Sequence, residues 1–154
     1  MNELMNRARQ RMRGRDDTQS NGDLRASAVA LAGGAALGLV SNALLALVPR
    51  EKARLLAGLT LAVAGGAYLG FGVADGRGHA LAAQSGEFLA FGAAAYLGVQ
   101  RQSSALLGAG WLAHAAWDAL HTREGGPTRV PSWYPPACGA YDAAVGVALL
   151  KGRR

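Results

Sequence analysis

The chain has 154 residues, about one domain, with 51% hydrophobic residues and a net charge of +6. Six of its sixteen basic residues lie within residues 1–25. A basic segment ahead of a hydrophobic run is typical of a chain that meets anionic lipid, so we expect membrane lipid as a partner and no nucleic acid. The single cysteine, Cys138, excludes an internal disulfide.

Residues 1–25 form a basic tail, for which two states are open. The tail is either an amphipathic helix lying on the membrane surface or a disordered segment. In either state its arginines favour the negatively charged cytoplasmic face. We therefore predict a multi-pass protein of the cell inner (plasma) membrane with a cytoplasmic amino terminus.

Long stretches without charge follow the tail. Residues 26–48 contain 23 consecutive uncharged residues and residues 55–74 contain 20, which matches the length of about 20 residues that a helix needs to cross a bilayer. The pattern predicts an all-α fold, a transmembrane helix bundle forming one domain over residues 26–150. The predicted spans are 26–48, 54–74, 80–99, 103–120 and 136–150.

The fourth predicted span carries ionisable residues on one stripe. His114, Asp118 and His121 are spaced i, i+4 and i+7, so they lie within roughly 60° of one another around a helix. An ionised carboxylate at the bilayer centre costs about 2.5 kcal/mol or more. We therefore expect this stripe to face the interior of the bundle.

Two acidic residues in neighbouring spans are predicted to lie at the same depth. Glu87 follows the start of the third span by seven residues, and Asp142 follows Pro135 by seven. His114 precedes His121 by seven, and at 1.5 Å per residue each of these three side chains lies about 10 Å from the same end of the bundle. The sequence thus predicts one buried site contributed by three helices.

A divalent metal explains such a cluster, because it neutralises buried carboxylates and binds neutral imidazoles. We expect His114, Asp118, His121 and Asp142 as ligands, and Glu87 with Asp142 as the catalytic acid and base. Zinc is favoured over iron as the cofactor. Since His114 and His121 lie about 10.5 Å apart along the axis, an alternative is that one of them orients a ligand and does not bind the ion.

Aromatic residues surround this predicted site in the sequence. Trp111, Trp117 and Tyr141 are expected to form the wall of a substrate pocket. Asp75, at the edge of a loop, is expected to be solvated. The alternative for the whole cluster is a polar network that only holds helices together.

The chain resembles a family of small bacterial integral-membrane proteins classed as a domain of unknown function. The resemblance covers about half of the chain and rests on GGAY at 65–68, EFLA at 87–90, GWLAHAAWDALH at 110–121 and CGAYD at 138–142. The helix with the pattern His-x-x-Trp-Asp-x-x-His is its specific part. The resemblance supports the site residues and implies no reaction.

Two positions depart from the pattern of that family. Thr122 stands where members often have a second histidine, and Gly86 stands where they often have a tryptophan before the acid. The first departure removes a potential ligand and weakens an assignment with two metal ions.

These features favour a membrane-embedded, metal-dependent enzyme acting on a lipid-soluble or amphipathic small molecule. Hydrolysis is favoured over oxygenation by iron. The alternative is a small transporter or binding protein in which the His and carboxylate cluster relays protons or binds a cation. Five spans are few for a monomeric carrier, so that alternative predicts a homo-oligomer.

Overall fold

The computed structural model describes the backbone of residues 2–122 and 126–152 and, within these ranges, the side chains from residue 22 onward. The described residues contain five α-helices and no strand, as the all-α prediction requires. The helices are α1 (Asn2–Ala46), α2 (Arg50–Asp75), α3 (Gly78–Gln100), α4 (Ser104–His121) and α5 (Tyr134–Leu150). The first of them includes residues 2–25 of the basic tail, so the tail and the first hydrophobic segment share one helix.

Local sequence signals account for several helix ends. α2 ends at Gly76, whose φ of 74° is a left-handed conformation that glycine adopts without strain. α4 begins after Ser103, whose side-chain oxygen accepts a hydrogen bond of 3.2 Å from the backbone N–H of Leu106. Pro135 and Pro136 lie in the first turn of α5, where the absence of an N–H costs no intrahelical hydrogen bond.

Helix α5 packs extensively against both α1 and α4. Glycines permit these approaches. A Cβ at Gly34 would overlap the carbonyl oxygen of Ala137, and a Cβ at Gly108 would lie 2.9 Å from the carbonyl oxygen of Gly146. The helices therefore cross backbone against backbone, as in membrane helix pairs with small residues at their interfaces.

Helices α2 and α3 also pack closely against each other, and both contact α4. An apolar core fills the space between α2, α4 and α5 and includes Leu61, Leu107, Val145 and Leu149. Trp111 belongs to this core and donates a hydrogen bond of 3.2 Å from its indole N–H to the carbonyl oxygen of Ala57. The core lies next to the ionisable residues of α4 and fixes the rotation of that helix.

Two helices in the described part of the chain are long and apolar enough to cross a membrane, Gly22–Ala46 within α1 and Arg50–Asp75. In their most apolar windows only 17% and 33% of the residues are buried. Large apolar side chains are exposed on both, including Val29 and Leu37 of α1 and Val63 and Val73 of α2.

The prediction that Asp75 is solvated is wrong. Its side chain has 0% exposed surface, because the connection between α4 and α5 folds over it. The carboxylate accepts hydrogen bonds from the Arg77 guanidinium, the Thr128 hydroxyl (3.1 Å) and the Arg129 backbone N–H (2.7 Å). The carboxylate raises the pKa of Arg77, which remains charged. Asp75 thus joins the two loops at one end of the bundle.

Candidate functional site

The stripe on α4 faces the interior of the bundle. His114 and Asp118 are each 1% exposed, and His121 is 7% exposed. The opposite side of α4 carries the exposed residues Ala109, Ala116 and Leu120.

His114 lies between carboxylates contributed by two other helices. Its Nδ1 is 2.6 Å from Asp142 Oδ2 on α5, and its Nε2 is 3.3 Å from Glu87 Oε1 on α3. Asp118, one turn further along α4, has its Oδ2 3.8 Å from His114 Nδ1. The structure therefore brings together four of the residues that helical spacing and depth select: Glu87, His114, Asp118 and Asp142.

Three of these residues are placed so that they can hold a metal ion. His114, Asp118 and Asp142 each offer one ligand atom, and these atoms all lie within 4.8 Å of one another. Zinc binds nitrogen and oxygen ligands at about 2.0–2.2 Å, so three ligands around one ion lie about 3.3–3.8 Å from one another. Side-chain adjustments of up to about 1 Å would gather the three atoms around one ion.

Several buried polar atoms of the site have no hydrogen bond of good geometry among the described residues. They are both oxygens of Glu87, the Nε2 of His114 and the Oδ2 of Asp118. Glu87 Oε1 and His114 Nε2 have only their ion-pair contact of 3.3 Å with each other, and buried polar atoms in native structures usually have a hydrogen bond as well. A cation that these atoms bind directly, or through water, would satisfy them.

Tyr68 of α2 is a member of the site that the sequence prediction missed. It is fully buried, and its hydroxyl donates a hydrogen bond of 2.6 Å to Asp118 Oδ1. Tyr68 lies seven residues before Asp75, the last residue of α2, just as His114 lies seven residues before His121, the last residue of α4. Counting from the helix end of α2 would have found it.

His121 lies outside the group formed by His114, Asp118 and Asp142. Its Nε2 is 3.0 Å from the amide nitrogen of Gln84, and its Nδ1 is 3.0 Å from the carbonyl oxygen of Trp117. The Trp117 indole N–H donates to Gln84 Oε1 at 3.3 Å. This closed network is consistent with a neutral His121 whose Nδ1 carries the proton. The lone pair on Nε2 is then engaged by Gln84.

Gln84 was also missed by the sequence prediction. It has 0% exposed surface and lies one turn before Glu87 on α3, on the same face of that helix. An amide in an apolar segment of a helix is itself a signal of an interior partner, since amides in hydrocarbon require hydrogen bonds.

The three aromatic residues predicted to line a substrate pocket contact different parts of the bundle. Trp111 is in the apolar core, and its ring meets that of Tyr141 edge to face at a centroid distance of 5.7 Å. Trp117 contacts His121 and Gln84. The rings of Phe91 and Tyr68 contact His114, with centroid distances of 4.8 Å and 5.8 Å.

Comparison with known proteins assigns the chain to a family. No curated protein and no solved structure matches the chain. A family model described as a family of unknown function matches residues 29–154, which include every residue of the site described above. This match confirms the predicted resemblance to a family of unknown function. The chain belongs to the family of unknown function DUF6010.

Proposed function

We propose that this protein is a membrane-embedded, metal-dependent enzyme, a hydrolase of a lipid-soluble or amphipathic substrate. The observation that carries the proposal is the buried group of His114, Asp118 and Asp142, whose ligand atoms lie within 4.8 Å of one another. Buried clusters of ionisable side chains are concentrated at functional sites.

The charge of the cluster supports a divalent ion. Three carboxylates, Glu87, Asp118 and Asp142, surround one imidazole, so the neutral or singly protonated His114 cannot balance them if all are ionised. Buried charges in proteins are paired or coordinate metals. An ion with two positive charges would compensate the two aspartates and leave Glu87 facing Nε2 of the histidine.

The donor set bears on the identity of the metal. With His121 engaged by Gln84, the set contains one imidazole and two carboxylates rather than two imidazoles. Zinc remains our first choice and iron our second, and a carboxylate-rich set also accommodates manganese. A divalent ion bound here would supply a Lewis acid and make water nucleophilic at neutral pH.

The surrounding residues have separable roles in this proposal. Tyr68 fixes the Asp118 carboxylate through its 2.6 Å hydrogen bond, as partners of metal ligands commonly do. Glu87 is the candidate general base, because it is adjacent to the three ligands and both of its oxygens have no hydrogen-bond partner among the described residues. His114 lies between Glu87 and Asp142 and orients both.

The exposed apolar surface supports placing the bundle in a membrane. A core helix of a water-soluble protein is mostly buried, whereas α1 and α2 bury 17% and 33% of their most apolar windows. Exposed Leu, Phe and Val side chains also occur on α3, α4 and α5, for example Leu89, Leu120 and Val147. We extend the proposal to five spans in the inner membrane with the basic tail on the cytoplasmic side.

The metal content of the protein tests the proposal. The full chain, purified in detergent, is expected to contain about one zinc, iron or manganese ion per chain by elemental analysis, and Asp118→Ala and Asp142→Ala are expected to lose it. Asp23→Ala removes an exposed carboxylate and serves as the control. Wild-type protein without stoichiometric metal, including after incubation with each of the three ions, would sink the proposal.

A second candidate function is proton relay in a transporter. It is favoured by one specific feature, the placement of carboxylates at both ring nitrogens of His114, at 2.6 Å and 3.3 Å. Together with Tyr68 and Asp118 they form a continuous series of ionisable groups across four helices. This candidate predicts an oligomer and proton flux in liposomes that His114→Gln abolishes. A monomer that binds metal and conducts no protons would exclude it.

A further inference from the structure

A groove opens between α1 and α4 on the surface of α5. Both helices pack on α5, and in the described part of the chain they do not contact each other. The space between them has a volume of about 450 Å³, within the range of about 300–1,000 Å³ typical of small-molecule sites. Its walls include Leu31 of α1, Ala115 and Ala119 of α4, and Ala140 and Ala143 of α5.

The lining of the groove is apolar except at one end. Asp118 and Thr122 are the polar residues among the described residues that line it. The Thr122 hydroxyl already donates a hydrogen bond of 2.8 Å to the carbonyl oxygen of Ala119. Asp118 therefore presents the carboxylate that a molecule in the groove would meet.

Gly139, which has no side chain, lies between the groove and Asp118. A Cβ built at Gly139 would lie 3.4 Å from Asp118 Cβ and 3.5 Å from Asp118 Oδ2, so a side chain there would occupy the space next to the carboxylate. Asp118 is 1% exposed, and its Oδ2 has no hydrogen-bond partner among the described residues. The absence of a side chain at position 139 thus joins an apolar groove to an unpaired acceptor.

We infer that this groove receives the hydrocarbon chain of a single-chain amphiphile from the surrounding lipid, with a hydrogen-bond-donating head at Asp118 Oδ2. The inference rests on the proposed function, since it names the substrate class of the same site. Small side chains and prolines form a smooth wall suited to an alkyl chain. Asp118 Oδ2 can accept a hydrogen bond, so it favours a head that carries a hydroxyl or an amine over a head without a donor.

A second groove of the protein provides the internal control. It lies between α2 and α3, has a volume of about 310 Å³, and is lined by residues such as Leu59, Ala62 and Tyr96. It is equally apolar, but no ionisable cluster opens into it. Ordinary lipid would bind both grooves alike, whereas a substrate with a polar head is expected to prefer the groove at Asp118.

Photolabelling of the full chain in detergent micelles tests the inference. The probe is an alkyl glycerol ether with a diazirine in its chain, which cannot be hydrolysed and so reports binding without turnover. Labelling is expected at Leu31, Ala140 and Ala143. Ala143→Phe is expected to reduce it about tenfold, which corresponds to 1.4 kcal/mol, and Ala62→Phe in the second groove should leave it within about twofold.

Two further comparisons make the result specific. The new Cβ in Gly139→Ala has ordinary contact distances, so this variant is expected to fold. We expect it to weaken labelling by the glycerol ether. Labelling by a second probe, in which both hydroxyls of the glycerol are methylated, should change less. Ala119→Phe, at an exposed position of the groove, repeats the block if Ala143→Phe fails to fold. Equal labelling of the two grooves, or labelling insensitive to both blocking variants, would overturn the inference.

The outcomes separate the inference from the proposal on which it rests. Stoichiometric metal with labelling outside the groove would refute the inference and leave the metal site standing. Labelling in the groove of a wild-type protein that binds no metal would support the inference and refute the metal-dependent function.

Discussion

The hydroxyl of Tyr68 donates a hydrogen bond of 2.6 Å to Asp118 Oδ1, and this bond links α2 to the ionisable stripe of α4. It leaves the other oxygen, Oδ2, without a hydrogen-bond partner in the described part of the chain and facing His114 at 3.8 Å. One oxygen of Asp118 is therefore held in place and the other is available. That division of roles is expected of a metal ligand with a supporting partner.

Replacing Tyr68 by phenylalanine is expected to weaken metal binding about 10–100-fold without abolishing it, because Asp118 keeps its position on α4 but loses its orientation. The measurement is a competition titration with a chelator of known affinity. Tyr96→Phe, at an exposed position of α3, is the matched control and should bind metal as the wild type does. Equal affinity in the Tyr68 and Tyr96 variants would contradict the role given to Tyr68.

Removing the imidazole at the centre of the cluster is expected to destabilise the metal-free protein. His114→Ala leaves the carboxylates of Glu87 and Asp142 without their common partner, and breaking a buried ionic pair in this way costs about 3–5 kcal/mol. The free energy of unfolding in mixed micelles measures the effect. His79→Ala, at an exposed position, should change it by less than about 0.5 kcal/mol.

Substitution of His121 tests whether this residue binds the metal or only supports the residues around the site. Since its two ring nitrogens are engaged by Gln84 and by the carbonyl of Trp117, His121→Ala is expected to retain a full complement of metal. It should lower the free energy of unfolding by about 1–3 kcal/mol, because Gln84 is left buried with an unpaired amide. Loss of metal in His121→Ala, with the fold intact, would restore His121 to the ligand set.

Gly65→Ala tests Glu87 as the base without altering its chemistry. The new methyl group would lie 3.1 Å from Glu87 Oε1, closer than ordinary contact, and would displace the carboxylate. We expect metal content to be unchanged and hydrolysis of a monoacyl ester substrate to fall at least about tenfold, since general base catalysis contributes 10²–10⁴-fold. In the adjacent control, Gly66→Ala, the nearest atom would be Phe88 Cε2 at an ordinary 3.7 Å. Similar rates in the two variants would argue against Glu87 as the base.

Asp75→Ala removes the hydrogen bonds that hold the connection between α4 and α5 against the end of α2. The Arg129 backbone N–H donates to Asp75 Oδ2 at 2.7 Å, so its hydrogen exchange is expected to accelerate at least about tenfold in the variant. Asp23→Ala is the control for loss of a carboxylate. Unchanged exchange at Arg129 would show that other contacts hold this connection.

The sequence predicts the site well where a regular helix determines position. A rise of 1.5 Å per residue fixes depth, so counting from helix ends places Glu87, His114 and Asp142 at one level. The i, i+4 spacing likewise places His114 and Asp118 on one face. The structure brings these residues within hydrogen-bonding or ion-pair distance of one another.

The remaining members depend on how the helices are rotated against one another. Tyr68 and Gln84 face the cluster because close glycine contacts, such as Gly72 against the Gln84 side chain, set the rotation of α2 and α3. Residue spacing within one helix indicates the depth of Tyr68 and Gln84 but not the direction in which their side chains point. The prediction that Asp75 is solvated is wrong for a similar reason. The loop that covers this helix end contributes Thr128 and Arg129, which lie about 50 positions away in the sequence.

The crossing of α4 and α5 at Gly108 and Gly146 has a consequence for biogenesis. His114 lies six residues after one of these glycines, and Asp142 lies four residues before the other. Neither helix alone carries the full set of His114, Asp118 and Asp142, so the ion that we propose could be captured only after these two helices have come into contact. Metal loading would then be a late step of maturation, and the loaded fraction would measure how much of the protein in a membrane has completed its assembly.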